Sequence, residues 1–188
     1  MIEKYFRDFN VFSGEEIKHV TRLFTAKTLE KSEFFIKEGE KCNEIAFVQS
    51  GIFRSYYTTP EGNDITYCFQ FPNNLMASYS SFITGNASME TMQAISKAEL
   101  LVIKKEKVEQ LADKSHNWTK FLKIIAEHQY LELEKRVFDL QKDNALQRYN
   151  SLFQNQPEYI QEIPLQYLAS YLGITPRHLS RIRKEVSL

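Results

Sequence analysis

The segment of residues 163–184, which reads IPLQYLASYLGITPRHLSRIRK, constrains the fold more than any other. Pro164 suits a first helical position, because its missing N–H would be unpaired there in any case. Small and apolar residues then recur at helical spacing: Leu165, Leu168, Ala169 and Leu172. Gly173 ends this helix, since glycine readily adopts left-handed backbone, and Thr175 and Pro176 begin another with a hydroxyl cap and a fixed φ. The pattern predicts a helix-turn-helix.

The second helix of this motif is basic and amphipathic. Leu179 and Ile182 continue its apolar side, and Ala169 must be small because the second helix crosses closely over the first. From Thr175 onward there are four basic residues and one acidic residue, a local charge of +3, whereas the whole chain has a formal net charge of 0. Such a helix is typical of a small surface that contacts nucleic acid. The alternative is a surface helix whose charges are only solvated.

Composition limits the remaining classes. The chain has 188 residues, of which 43% are hydrophobic, and its 14 Phe and 10 Tyr favour a core built partly from sheet. Cys42 and Cys68 are too few for a disulfide scaffold or an iron–sulfur cluster, so we expect a cytoplasmic protein, with a redox pair as the alternative. There is no signal-peptide pattern and no apolar run of about 20 residues.

The first hundred residues predict a small β-domain behind a helical start. Residues 1 to about 30 look helical, with a capping box formed by Ser13 and Glu16. From about Glu33 the hydrophobic period becomes two, and Gly, Pro and Asn turns separate short strands. Strands are expected near 34–36, 44–48, 52–59, 65–71, 89–95 and 98–103, with 75–88 less regular. This pattern predicts a jelly roll.

The segment from about Asn117 to Leu140 lacks Gly and Pro and predicts one long helix. Apolar residues recur along one side of this helix, which we call its seam. The seam is expected to pair with the same helix of a second chain, as in a coiled coil. The predicted homodimer interface consists of Trp118, Leu122, Ile125, Gln129, Leu133, Val137 and Leu140. The alternative is ordinary packing within one chain. A further helix is expected over 145–153, followed by a loop over 154–157.

These elements predict an α+β fold in three parts. Residues 1–115 form a double-stranded β-helix (jelly roll) with flanking helices, residues 116–141 form the dimerisation helix, and residues 142–188 form an all-α helix-turn-helix domain.

This order of elements resembles the Crp/Fnr family of bacterial transcription regulators over nearly the whole chain. The resemblance rests on FIKEGE at 35–40 with EIAFVQSG at 44–51, similar to the opening hairpins of a cyclic-nucleotide-binding roll, and on ASYLGITPRHLSR at 169–181, similar to the family's DNA reader. It implies a homodimer that binds near-palindromic double-stranded DNA and works with RNA polymerase, and it implies neither an enzyme nor a membrane protein.

The resemblance also assigns roles to single residues. Thr175 and His178 match positions that contact phosphates, while Arg177, Ser180 and Arg181 match positions that face base edges. Lys184, one turn beyond Arg181, is expected to meet the DNA backbone. Pro176 replaces a commonly charged residue and so removes one base contact.

The sensor region departs from the family members that bind cyclic AMP. Those proteins carry a Gly-Glu pair and, about ten residues later, an arginine that pairs with the cyclic phosphate. Here Ala77 and Ser78 replace the pair, Ser88 stands near the arginine position, and Glu90 would repel a phosphate. We therefore expect no response to cyclic AMP and predict no cofactor. A pocket for another, unidentified effector would be lined by Tyr67, Met76, Ala77, Ser78, Tyr79, Ser88 and Met89. A filled roll without a ligand is equally compatible with the sequence.

The C-terminus is another departure. After Ile182 only six residues remain, too few for the β-hairpin wing that usually follows the reading helix, so either the subgroup is wingless or the sequence is shortened. A wingless protein would make fewer phosphate contacts.

Two other functions fit the sequence less well. A cupin-type metalloenzyme would need histidines on its strands, but His19, His116, His128 and His178 all lie outside them. A metabolite-sensing module that acts through a protein partner would not need the basic second helix. The sequence shows no catalytic constellation.

Overall fold

The computed structural model describes residues 1–186 as an α+β fold. The helices are α1 (Ile2–Asp8), α2 (Gly14–Thr21), α3 (Tyr79–Thr84), α4 (Lys105–Lys114), α5 (His116–Lys142), α6 (Ala145–Asn155), α7 (Pro157–Glu162), α8 (Leu165–Tyr171) and α9 (Pro176–Val186).

Eight strands form two four-stranded sheets. They are β1 (Thr25–Leu29), β2 (Phe34–Ile36), β3 (Glu44–Ser50), β4 (Phe53–Thr58), β5 (Asp64–Gln70), β6 (Leu75–Met76), β7 (Thr91–Ala94) and β8 (Ala98–Lys104). The sheet orders are β1-β8-β3-β6 and β2-β7-β4-β5. This antiparallel arrangement confirms the predicted α+β class with a jelly-roll core.

The chain divides into two compact units. Unit 1 comprises residues 1–57 and 69–126, and unit 2 comprises residues 58–68 and 127–188. Unit 2 therefore includes the tip of the β4–β5 hairpin together with the C-terminal part of α5. The three parts expected from the sequence, residues 1–115, 116–141 and 142–188, stay a prediction.

Large apolar side chains from both sheets fill the interior of the roll. Phe47 on β3 and Phe53 on β4 are completely buried, and Met92 and Leu100 on β7 and β8 are nearly so. Burial of such side chains contributes roughly 1.5–3 kcal/mol each. This core holds the strands in one register, in which Ala46 on β3 lies opposite Val102 on β8.

Gly51 is required by a close approach between turns. Its φ is +86°, and a Cβ there would lie 2.5 Å from the Lys97 carbonyl oxygen. Any side chain would therefore collide with the backbone that leads into β8.

An aromatic cluster joins α1 and the first turns of α5. Phe6 and Phe121 are fully buried, with ring centroids 5.4 Å apart, and Trp118 packs 5.2 Å from Phe121. The Trp118 indole N–H donates to the Val108 carbonyl at 3.1 Å. Trp118 is 3% exposed, so its predicted place in the dimer seam was wrong: it belongs to the core of unit 1.

Glu16 connects α2 to α5. The predicted capping box is confirmed, because Ser13 N–H donates to Glu16 Oε2 at 2.8 Å and Glu16 N–H donates to Ser13 Oγ at 3.2 Å. The Asn117 amide also donates to Glu16 Oε1 at 3.1 Å. These bonds, led by that from the Ser13 backbone, hold the pKa of the Glu16 carboxyl below its usual value.

The structure corrects two local expectations and adds detail to a third. Residues 25–29 form strand β1 rather than part of a leading helix, and pair with β8. Residues 157–162 form helix α7, where a loop was expected to reach Pro157. Residues 75–88 contain the short helix α3 and strand β6.

Replacing Glu16 with alanine should lower the melting temperature by about 2–4 °C, because it removes the carboxylate bond of the capping box and the tie to Asn117. The folded-state pKa is lowered, so the carboxylate stabilises the fold above the ordinary glutamate pKa, and this contribution is lost as the pH falls through the lowered value. The difference should therefore be largest near neutral pH and shrink in acid, as measured by thermal circular dichroism.

Glu15 is the matched control, since it is an exposed neighbour in the same first turn of α2. Glu15→Ala should change the melting temperature less at every pH. Equal losses for the two variants would contradict the role given to Glu16.

Candidate nucleic-acid interface

Helices α8 and α9 form the predicted helix-turn-helix. Gly173 has a φ of +68°, and the amide of Ile174 donates to the Ala169 carbonyl at 3.0 Å, which closes the end of α8. Thr175 caps α9 by accepting a hydrogen bond from the His178 amide at 3.2 Å. Pro164 is the N-cap rather than the first helical residue, so α8 begins one residue later than expected.

The two helices meet through small and apolar side chains. Ala169 and Leu168 on α8 are completely buried, and Leu179 and Ile182 on α9 are 0% and 2% exposed. The buried methyl group of Ala169 leaves room for α9 to cross closely. This packing decides which side of α9 faces the solvent.

Three cations occupy that opposite side of α9. Arg177, Arg181 and Lys184 are all exposed and follow one another at spacings of four and three residues, so they share one helical face. Among the described residues, no carboxylate forms an ion pair with them. Their positive charge is therefore available to a partner.

The polar residues beside these cations complete one surface, which we call the reading surface. Its members line a single open depression: Thr175, Arg177, His178, Ser180, Arg181 and Lys184. The Ser180 hydroxyl donates to the Pro176 carbonyl at 3.0 Å, so toward a partner it acts as an acceptor. The structure thus brings together all six residues that the sequence predicted, while their roles in binding stay predictions.

Arg183, which contributes to the local positive charge, has a different position. Its guanidinium donates to the Ile160 carbonyl at 3.2 Å and is partly buried. It anchors α9 to α7 instead of extending the reading surface.

Two arginines that the sequence analysis did not select hold the C-terminal end of α8. The Arg136 guanidinium on α5 donates to the Tyr171 carbonyl and lies 3.8 Å from the centre of the Tyr171 ring. Arg148 on α6 donates twice to the Leu172 carbonyl, at 3.0 and 3.2 Å. The C-terminal end of a helix carries partial negative charge, so both cations stabilise this end of α8. No sequence motif marks such long-range contacts to carbonyls.

The predicted dimer seam is apolar and exposed along the part of α5 in unit 2. Tyr130, Leu133, Val137 and Leu140 are 63%, 61%, 42% and 44% exposed, at spacings of three, four and three. Gln129 is also exposed. Tyr130 was missed, because the sequence analysis followed a seam through Gln129.

The predicted seam residues nearer the start of α5 have a different environment. Leu122 and Ile125 are partly buried against the core of unit 1, as Trp118 is buried within it. The predicted interface is therefore exposed only toward the C-terminal end of the helix.

The serines of the predicted ligand pocket bind each other. Ser78 and Ser88 are buried, with their Oγ atoms 2.8 Å apart, and the Ser88 hydroxyl also lies 2.8 Å from the Glu90 carbonyl oxygen. The nearby Ser81 hydroxyl accepts from the Cys42 amide at 3.0 Å. Hydrogen bonds within the roll thus occupy the polar groups at this position.

The other predicted pocket residues differ in their exposure. Met76 is buried, Ala77 and Tyr79 are half-buried, and the Met89 side chain is 78% exposed. Tyr67 is 38% exposed on a part of β5 that belongs to unit 2. Met89 thus lies at the surface, and its predicted place in a pocket wall stays a prediction.

Within residues 1–186, no group of three or more His, Cys, Asp and Glu side chains is arranged to hold a metal ion. None of the helices in the same range is long and apolar enough to cross a membrane.

Sequence comparison identifies the roll. Residues 26–115 match the family profile of the cyclic nucleotide-binding domain. No curated protein matches the chain by sequence.

Several solved structures share the fold over most of the chain. FixK2 of Bradyrhizobium japonicum aligns with a TM-score of 0.77 and 17% identity, covering 87% of this chain and 84% of that one. CLP of Xanthomonas campestris, a c-di-GMP-responsive global regulator, aligns with a TM-score of 0.73 and 14% identity, covering 93% of this chain and 92% of that one. A Crp/Fnr-family transcriptional regulator from Eubacterium rectale aligns with a TM-score of 0.74 and 17% identity, covering 98% of this chain and 88% of that one.

These comparisons establish the fold. Residues 26–115 are similar to the cyclic nucleotide-binding domain. The whole chain has the fold of the Crp/Fnr transcription regulators, which the order of its elements had suggested.

Gly173→Ala should destabilise the protein by about 1 kcal/mol, because a φ of +68° is unfavourable for a side chain. The cost should come from the backbone alone, since the new Cβ would meet neighbouring atoms only at 4.0 Å. Gly173→Asn is the matched control and should cost less, because asparagine tolerates left-handed backbone. Urea unfolding measures both variants, and an asparagine cost as large as that of alanine would contradict the interpretation.

Proposed function

We propose that this protein is a dimeric, sequence-specific DNA-binding transcription regulator of the Crp/Fnr type. The observation that carries the proposal is the row of Arg177, Arg181 and Lys184 on the exposed face of α9, opposite the buried Leu179 and Ile182. A helix held by its apolar side and basic on its free side is suited to the major groove of DNA.

The side chains of the reading surface have the chemistry that this role requires. Arginine can donate two hydrogen bonds to O6 and N7 of guanine, which makes Arg177 and Arg181 candidates for base readout. Ser180 can accept from a base amino group because its own proton is directed to Pro176. Thr175 and His178, at the start of α9, are candidates for phosphate contacts.

A dimer would cover the exposed seam of α5. Tyr130, Leu133, Val137 and Leu140 leave an apolar strip that a second copy could bury by coiled-coil packing. Two copies would present two reading helices to successive major grooves, about 34 Å apart, and would favour a near-palindromic operator. A transcription regulator of this type would also work with RNA polymerase.

We further propose that the roll does not respond to cyclic AMP. By the resemblance, Ser78 and Ser88 stand at the positions with which cyclic-AMP-binding relatives hold the ribose and the phosphate, and here the two hydroxyls bind each other. A change of effector has a precedent in this fold, because CLP responds to c-di-GMP. The effector of this protein would be a molecule that binds the DNA-competent and DNA-incompetent states differently.

Replacing Arg181 with alanine should abolish discrimination at one base position, a loss of about 1–3 kcal/mol, because its two donors would no longer reach a guanine. Replacing Lys184 with alanine should weaken binding to all sequences alike and lower the salt-dependence slope by about 1. Fluorescence polarisation against a selected operator and a scrambled duplex, at several salt concentrations, separates the two effects.

Glu185→Ala serves as the control, since it alters an exposed charge of α9 outside the reading surface. It should leave sequence preference intact. A parent protein that dimerises but binds no DNA would contradict the proposal and favour a sensing module that acts on a protein partner.

Leu133→Glu should convert the dimer to a monomer, because two carboxylates would face each other in the apolar seam. Leu131→Glu is the matched control: Leu131 is also exposed, at 56%, but two positions away it lies on another side of the helix. Analytical ultracentrifugation distinguishes the variants. Loss of the dimer in both, or in neither, would contradict this interface.

A further inference from the structure

Ser170 on α8 binds the backbone of the β4–β5 hairpin with both functions of its hydroxyl. The amide of Thr66 donates to Ser170 Oγ at 2.9 Å, and the hydroxyl donates to the Asp64 carbonyl at 3.1 Å. Thr66 is 1% exposed, so its amide has no access to water as an alternative partner. All three residues belong to unit 2.

The hairpin tip at the other end of this contact is an ordered turn. The Thr59 amide donates to the Asn63 carbonyl at 2.9 Å, and the Gly62 amide donates to the Thr59 carbonyl at 2.8 Å. The Thr58 hydroxyl and Asp64 Oδ1 are 3.0 Å apart, which joins the two strands beside the turn. A change in the turn is therefore transmitted to the Asp64 backbone.

Ser170 is also close to the contacts that position the reading helix. The residue before it, Ala169, is completely buried in the helix that packs with α9, and the residue after it, Tyr171, is held by Arg136. A displacement of Ser170 therefore acts on the helix that supports the reading surface.

We propose that Ser170 is a regulatory tie through which the hairpin tip, residues 58–68, sets the DNA affinity of the reading surface. The inference rests on the proposed function and adds to it the element of the chain that controls the site. With the tie intact, α8 and α9 are ordered before DNA arrives. With the tie broken, part of the binding free energy is used to order them, and affinity falls.

The first test replaces Ser170 with alanine, which removes both hydrogen bonds and favours the helix by propensity. Operator affinity, measured by fluorescence polarisation, should fall by about three- to tenfold, in line with the loss of one or two hydrogen bonds. Amide hydrogen exchange in the peptide containing Thr66 should accelerate by a similar factor. Ser80→Ala, at an exposed position of α3, is the matched control and should change neither quantity.

A second test approaches the tie from the hairpin. Gly62 has a φ of +83° in open space, so Gly62→Ala strains the turn without a steric clash. It should weaken operator binding by about two- to fivefold. Gly39→Ala is the matched control, because Gly39 has a φ of +87°, is equally open, and lies in unit 1. It should leave operator affinity unchanged.

The double variant decides whether the hairpin acts through Ser170. If it does, Gly62→Ala should have no further effect on operator affinity in the Ser170→Ala background. Additive effects would overturn the proposed regulatory tie, and so would an unchanged or increased operator affinity in Ser170→Ala. If Ser170→Ala does not fold, equal affinity of the Gly62 and Gly39 variants overturns it. Absence of operator binding by the parent would overturn the proposed function itself, which the exchange data on Thr66 do not test.

Discussion

The packing of Leu179 and Ile182 against α8 is the contact on which the rest of the site depends. It removes the apolar side of α9 from water and thereby directs Arg177, Arg181 and Lys184 outward together. None of these cations is held by its own salt bridge within the described chain, so their common direction is a consequence of the helix beneath them. In the proposed complex, electrostatics would attract these cations to DNA, but hydrophobic burial sets the direction in which they point.

Much of this organisation could be predicted, because it is encoded locally. The capping box of Ser13 and Glu16, the stop at Gly173 and the cap at Thr175 each depend on residues a few positions apart. The long helix α5 follows from an uninterrupted run of helix formers. All six predicted residues of the reading surface lie within ten positions of one another, so helical periodicity alone places them on one surface.

The features that could not be predicted depend on contacts between distant parts of the chain. Trp118 fits the period of the seam, yet the rings of α1 bury it. The N–H of Thr66 and the hydroxyl of Ser170 are 104 positions apart, and no local pattern marks either of them. Arg136 reads as a surface charge but binds the Tyr171 carbonyl 35 positions later. Periodicity shows which side of a helix is apolar, but not which part of the molecule covers it.

The bond between Ser78 and Ser88 has an evolutionary consequence. A single mutation of Ser88 to arginine would force a much larger side chain into a position where a buried hydroxyl now pairs, and it would leave the Ser78 hydroxyl without this partner. An arginine at position 88 alone is therefore expected to destabilise the roll. A phosphate site at this position would need coordinated changes at 77–78 and 88, so the hydrogen-bonded serine pair opposes the stepwise acquisition of such a site.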